Sequence, residues 1–549
     1  MPSSRTLSAS AGAFALLLAS PSALAGGDNF APAGPTFLVS ASTGFNQYWS
    51  RVDISPDGAR LGFSFNTAQD PRARQFTLGG VPLTGDVFCN PNTSTYIQDE
   101  AETCFATDGR QLIAWSDRNG YDGEQMGIFG RILDVNGAPI GAEIQINELG
   151  AASQWRPLIA RRPAGGWVVA WSGDWDGDAL FRVVNTDGTF ATPDVRINTF
   201  DNGAQVDTAP AIAPDGRMLM VFVDYSGAQG VGTGTNLWAR LYAPDATPLQ
   251  AAPWPLLTGA AAAGDQREPR VAADGLGRYF VVWEDAAREG QSWGIYALVY
   301  DRDGVLLTPA PLHVNTTTPG AQRNPRVAAD SIGNFVVVWE DWSSGTSDVR
   351  AQRYAPDLQP LGAEFVVNTD LVGDQRRPSV AAHATSGHVV FTYEGPGIST
   401  DVFARLYSTY AAPQTYCTAK INGLGCTPSI AWSGSPSLSG ADDFRIGASQ
   451  VLNNRNGLLF VGRTPLAAPF YGGTLCVAPP VSRAPVQNAG GNAGVDDCSG
   501  VFDTLLSHAW LAAKGFAAGD DAVAQYWSRD PFSPQAIGLT NALSFEVTP

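Results

Sequence analysis

The residues best suited to chemistry in this chain are carboxylates that recur at the ends of apolar runs. Glu284 and Asp285 close "YFVVWED", Glu340 and Asp341 close "FVVVWED", and Glu394 closes "VVFTYE". Asp117, Asp174 and Asp224 follow "LIAWS", "VVAWSG" and "LMVFV" in the same way. Two carboxyl groups, one protonated and one ionised, are what glycoside cleavage requires. If the chain is an enzyme, Glu284, Glu340, Asp117 and Glu394 are its catalytic candidates. The competing reading is structural, because a polar group repeated in every repeat satisfies the same buried hydrogen bond each time.

Other constellations point to binding. "DWDGD" alternates Asp174, Asp176 and Asp178 around a glycine, a spacing that lets carboxylates converge on Ca²⁺, although no bidentate Glu follows in register. Trp175 and Trp342 lie outside the apolar runs, where an indole can stack on a sugar face or on a neighbouring repeat. Arg267, Arg323 and Arg376 each follow a glutamine and complete the binding candidates. There is no GxSxG, HExxH or P-loop, and four histidines without a CxxC argue against zinc.

The elements that must carry these residues are repeats. "NPRVAADSIGNFVVVWED" at 324–341 matches "EPRVAADGLGRYFVVWED" at 268–285, and five weaker copies bring the total to seven. Pro157, Pro210, Pro269, Pro325 and Pro378 are spaced 53, 59, 56 and 53 residues apart, a period that marks a repeat architecture. Each copy offers four strand-like pieces joined by Asp-Gly or Asn-Gly turns, the last ending in Asn as in "EFVVN". The second piece is a continuous run of Val and aromatics, which reads as a strand buried on both faces. A sheet that is apolar on both sides must be covered on both sides by its own copies, so seven sheets close into a β-propeller. The last copy ends at "VFARLYS" without its fourth strand, while an orphan "TFLVS" stands at 37–41; the N-terminal strand is therefore expected to complete blade seven. Gln47, Gln98, Gln154, Gln205, Gln266, Gln322 and Gln375 form a series after the fourth strand.

On these repeats, chiefly "GNFVVVWED", "AQRYAPDLQPLGAEFVVNT" and "GIYALVYDRDG", the chain resembles secreted bacterial β-propeller proteins over roughly residues 36–410. The resemblance implies the fold; propellers host enzymes, lectins and scaffolds alike. "YCTAKINGLGCTPSI", "LLFVGRTPLAAPFYGGTLCVAPPV" and "AQYWSRDP" resemble a C-terminal module of such proteins.

The expected organisation is a signal peptide over 1–25, a leader over 26–35, a propeller over 36–412 and a small β-sandwich over 416–549. The six cysteines are expected to pair as neighbours, Cys89 with Cys104, Cys417 with Cys426 and Cys476 with Cys498. The balance of 34 basic to 52 acidic residues, net −18, argues against nucleic acid, and no apolar run in the mature chain is long enough to span a membrane. The reading that follows is an exported protein, secreted, surface-bound or periplasmic in a bacterium, that presents a propeller face to glycans or extracellular proteins without catalysis. Its alternative is a secreted hydrolase or lyase of carbohydrates using acids at the propeller mouth. Ca²⁺ is the one cofactor suggested.

Overall fold

The computed structural model describes residues 30–548 apart from residue 34 and the segments 42–44, 68–69, 91–96, 119–125, 149–152, 174–176, 228–230, 232–233, 287, 289, 291, 397–399, 410–412, 435, 437, 439–441 and 518. The expected signal peptide, Asp174, Trp175 and Asp176 lie outside the described residues.

Seven antiparallel sheets follow one another along the chain, six of four strands and one of five. Their innermost strands are Gln47–Ile54, Gln98–Phe105, Trp155–Arg161, Gln205–Ile212, Gln266–Ala273, Gln322–Ala329 and Arg376–Ala382. Each innermost strand packs beside the next, and the seventh packs beside the first, so the ring is closed. The second strands, such as Tyr279–Asp285 and Phe335–Asp341, are buried at every residue, as continuous Val and aromatic runs require. The apolar layers belong to neighbouring blades jointly: Trp283 and Tyr279 of blade five share one core with Leu219 and Val221 of blade four.

Closure follows the expected route. Phe37–Leu38 pairs with the outer strand Thr400–Thr409 of blade seven, with Phe37 opposite Ala404. A second N-terminal strand, Phe30–Pro32, pairs farther along that same strand, so the join reaches back into residues expected to be a leader.

The repeated Asn and Gln residues hold neighbouring loops. Asn368 accepts the N–H of Val349 and donates to the Gln375 side chain at 3.2 Å. Asn315 does the same for Ile295 and Gln322. Gln322 also donates to Pro319 O at 3.0 Å and to Asp341 Oδ1 at 3.1 Å. All seven glutamines are buried. Replacing Gln322 with Ala leaves Asn315 and Asp341 short of a partner, so a loss of roughly 1–3 kcal/mol is expected in denaturant titrations. Unchanged stability would show that these hydrogen bonds do not hold the loops.

Residues 414–548 form a sandwich of a six-stranded and a three-stranded sheet, with a separate two-stranded hairpin. Ile446, Phe502, Tyr526, Leu543 and Phe545 fill the space between the two larger sheets. The stretch 502–516, readable as one helix, divides into strand Gly500–Leu505 and the short helix His508–Ala513, whose start is capped by Ser507. The neighbour pairing of cysteines is corrected here: the disulfides are Cys417–Cys476 and Cys426–Cys498. Cys89 and Cys104 are free thiols. They sit in different inter-blade layers, Cys89 beside Ala101 and Trp115, Cys104 beside Leu112 and Trp167, so closeness in sequence does not bring them together.

Candidate functional site

Every innermost strand carries the same β-bulge. Tyr48 faces Asn66 and Arg51 faces Ser64, so the inner strand spends one residue more than its partner. The same slip occurs in the other six blades. A bulge bends its strand and re-aims a side chain. Here the residue two after each repeated glutamine takes a left-handed backbone: Trp49, Glu100, Arg156, Asp207, Glu268, Asn324 and Arg377, with φ between 46° and 59°. Non-glycine residues adopt this conformation at a cost and cluster where function needs them. All seven line a cavity of about 70 Å³ on the propeller axis. Two residues further along, on five of the seven strands, Arg51, Glu102, Leu158, Arg270 and Arg326 line the same cavity.

The seven positions differ from blade to blade where the flanking Gln does not. Arg156 is the hub. Its Nη1 donates to Asp207 and, at 2.8 Å, to Glu268, and its Nε lies 3.5 Å from Glu100. Glu268 has a second guanidinium, Arg270, at 2.9 Å. Arg51 pairs with Glu102, and Arg377 with Glu394 at 2.9 Å. The two carboxylates on Arg156 are driven apart. Burial would raise Glu268, but Arg156, Arg270 and Arg326 outweigh it and bring it down to about 2. Asp207 is raised by burial and by the charge of Glu268, with Arg156 and Arg270 only partly compensating. Glu268 is in ion-pair contact with two guanidinium groups, Arg156 and Arg270, and Asp207 with Arg156 alone, which favours the proton on Asp207.

Three of the acids that drew attention in the sequence bind backbone N–H groups. Glu284 accepts the backbone N–H of Asn324 at 2.6 Å, Glu340 that of Arg377 at 2.6 Å, and Glu394 that of Trp49 at 2.7 Å. Ser116 and Ser172 serve Arg156 and Asp207 in the same way. These side chains latch one blade onto the bulge of the next. Burial, with the charge of Glu268 adding to it, pushes Glu284 up to about 8 despite that N–H and Arg323. Burial likewise pushes Glu394 to about 7, against Arg377. Asp117 is buried at the end of its strand.

The binding candidates lie around the rim. Arg267 sits over Tyr225 and Trp293, and Arg323 over Trp293. Arg376 lies 4.8 Å from the Trp342 ring, whose Nε1 donates to Glu340. Each rim arginine has a carboxylate neighbour, Asp265, Glu284 or Asp374. Of the calcium candidates only Asp178 is described; it pairs with Arg196 at 2.7 Å. Among the described residues, no group of three or more acidic, His or Cys side chains is placed to hold a metal ion.

No family model matches the sequence, and no curated protein matches it. Among solved structures the chain is similar to a Dyadobacter fermentans protein of unknown function, at 10% identity and a TM-score of 0.44, over 69% of this chain and 99% of that one. It is similar to a polysaccharide lyase described as an ulvan lyase, at 9% identity and a TM-score of 0.45, over 70% of this chain and 94% of that one. It is also similar to an α-L-arabinanase from Penicillium chrysogenum, at 12% identity and a TM-score of 0.37, over 70% of this chain and 97% of that one. What the site does is therefore read from its own residues.

Proposed function

We propose that this chain is a carbohydrate-active enzyme, a hydrolase or lyase, whose acid–base pair is Asp207 and Glu268. The observation that carries this reading is one guanidinium nitrogen shared by two carboxyl groups whose surroundings drive their proton affinities in opposite directions, which is how acid and base roles are divided in such sites. Asp207 gives its proton to the leaving glycosidic oxygen as the C–O bond breaks. Glu268 accepts a proton, from the attacking water in hydrolysis or from a ring carbon in elimination. Arg156 positions both. The cavity is too small for a sugar chain, so the chain lies across the mouth.

In this reading the protein is exported, since two disulfides suit an oxidising compartment. Among the described residues, no helix is long and apolar enough to cross a membrane. A binding face without catalysis, the first reading of the sequence, draws support from the stacked rim arginines and aromatics. A glycan panel followed by product analysis separates the two. Asp207→Asn and Glu268→Gln are each expected to lower product formation at least about a hundredfold. Tight binding by the unmodified protein with no product from any glycan would leave only the binding face.

A further inference from the structure

Five arginines and four carboxylates line the axial cavity in a chain whose net charge is −18. Four of those arginines, Arg51, Arg156, Arg270 and Arg377, are in ion pairs. The fifth, Arg326, forms no ion pair among the described residues; its one hydrogen bond is a long contact of 3.4 Å to Pro325 O. Burial opposes its charge, and so do Arg270 and Arg51 beside it, while Glu102 and Glu268 return only part of the loss. Arginine does not shed its proton to escape such a position. Arg326 is partly buried in the cavity wall, and a cation held there without an ion-pair partner is open to a ligand that supplies the counter-charge.

We propose that the substrate is an acidic glycan, and that one of its anionic groups, a carboxylate or a sulfate ester, enters the axial cavity and pairs with Arg326 between Arg51 and Arg270. This rests on the carbohydrate reading above. About 70 Å³ has room for about five waters, hence for one such group, and Arg51, Arg270 and Arg326 also line a neighbouring cavity of about 230 Å³. The rim arginines do not extend the site into a track for a long polyanion, because Asp265, Glu284 and Asp374 already balance them. That pattern suits one deep anion contact and disfavours nucleic acid, whose binding needs many free cations in a row. The two sources of the anion have different consequences. A carboxylate neutralised by Arg326 acidifies the adjacent ring C–H and so favours elimination, with Glu268 taking that proton, a C=C bond forming and the C–O bond breaking toward Asp207. A sulfate ester gives no such activation and leaves hydrolysis.

The test is direct binding of three short oligomers by calorimetry: a trigalacturonate, a sulfate-esterified neutral trisaccharide and its unsulfated parent. One of the two acidic oligomers is expected to bind at least about tenfold more tightly than the parent, since a hydrogen-bonded charge pair contributes about 1.5–3 kcal/mol. Arg326→Gln should remove that preference while its melting temperature stays level or rises, because the substitution relieves repulsion from Arg51 and Arg270. A structural arginine would do the reverse. Arg326→Met, which keeps the apolar stem, gives the same comparison should the Gln variant fold poorly. Equal binding of acidic and neutral oligomers, or full acidic preference in both variants, overturns the proposal. The outcomes also separate from the acid–base reading. Cleavage of neutral glycans with no acidic preference leaves the Asp207–Glu268 pair standing and removes the Arg326 role; acidic binding without any turnover does the opposite. An unsaturated product, seen by its ultraviolet absorbance, identifies the carboxylate route.

Discussion

Replacing Arg156 with Met is expected to lower stability at neutral pH by about 3 kcal/mol and to abolish turnover. Removing one partner of a buried ion pair costs about 3–5 kcal/mol, chiefly because the charge left behind has no counterpart. The low end applies, since the Arg156 side chain is 32% exposed while Asp207 is 4% and Glu100 8% exposed. Three carboxyl groups, Glu100, Asp207 and Glu268, lose their common cation in the variant. The pH dependence has a definite sign. In the intact protein Glu268 is held at about 2, below its ordinary value, so its contribution is fully present above the ordinary carboxylate range and is lost as pH falls toward 2. The variant keeps Arg270 beside Glu268 and loses the Arg156 part of that contribution. The gap between the two proteins should therefore be full at pH 7 and shrink below about pH 4.5. Urea titrations at pH 7 and pH 4 check it; a gap that is constant with pH would mean that Arg156 acts through packing alone. Arg156→Lys should restore only part, because a single ammonium replaces the two separate nitrogens, Nη1 toward Asp207 and Glu268 and Nε toward Glu100, through which the guanidinium reaches three carboxyl groups.

How far the sequence reveals this site is instructive. The sevenfold period, the buried second strands and the N-terminal closing strand are legible because each is an apolar pattern, and apolar patterns are what packing constrains. The Gln series is legible because a buried amide keeps its partners: in five blades the Asn that ends the fourth strand donates to it. The axial ring stands two residues further on, as Trp49, Glu100, Arg156, Asp207, Glu268, Asn324 and Arg377, the residue directly before Pro in four of the seven blades. Its mark in the sequence is a position whose charge changes from blade to blade inside an otherwise constant frame. It escapes notice because nothing in Arg, Glu or Trp announces a left-handed bulge, and because the acids at the ends of the second strands look more like a mouth. Glu284, Glu340 and Glu394 are in fact needed to hold the bulges they face. The disulfides were illegible for a different reason. Cys417–Cys476 and Cys426–Cys498 span 59 and 72 residues, and only the strand order of the sandwich brings such partners together.

Deleting residues 30–41 is expected to unfold the propeller as a whole. The segment has little pairing of its own, but it touches three blades. Phe37 packs on Phe63 and Phe76 of blade one, at centroid distances of 6.2 and 5.2 Å. Val39 is fully buried in the layer between blades seven and one, and its carbonyl accepts from Arg74 at 2.8 Å. Phe30 stacks on Tyr407 at 5.1 Å, with Phe365 and Arg353 of blade six beside it. At about 1.5–3 kcal/mol for a fully buried apolar side chain, with Phe30 and Phe37 partly buried, these three residues account for at most roughly 5–9 kcal/mol. That is comparable to the whole stability of an ordinary domain, about 5–15 kcal/mol. The deletion also exposes the outer edge of Thr400–Thr409, an invitation to aggregate. In a closed ring this loss is not confined to the join, because every blade is covered on both faces only while the circle holds. Hydrogen exchange should therefore show protection falling in Met218–Asp224 of blade four, far from the cut, as well as in blades one and seven. In an open stack of repeats, stability is a sum over neighbours and only the terminal repeats would fray. Full protection in blade four of the truncated protein would show that these sheets stand without closure, and the axial cavity, which needs all seven inner strands, would then have to be held together by its own ion pairs.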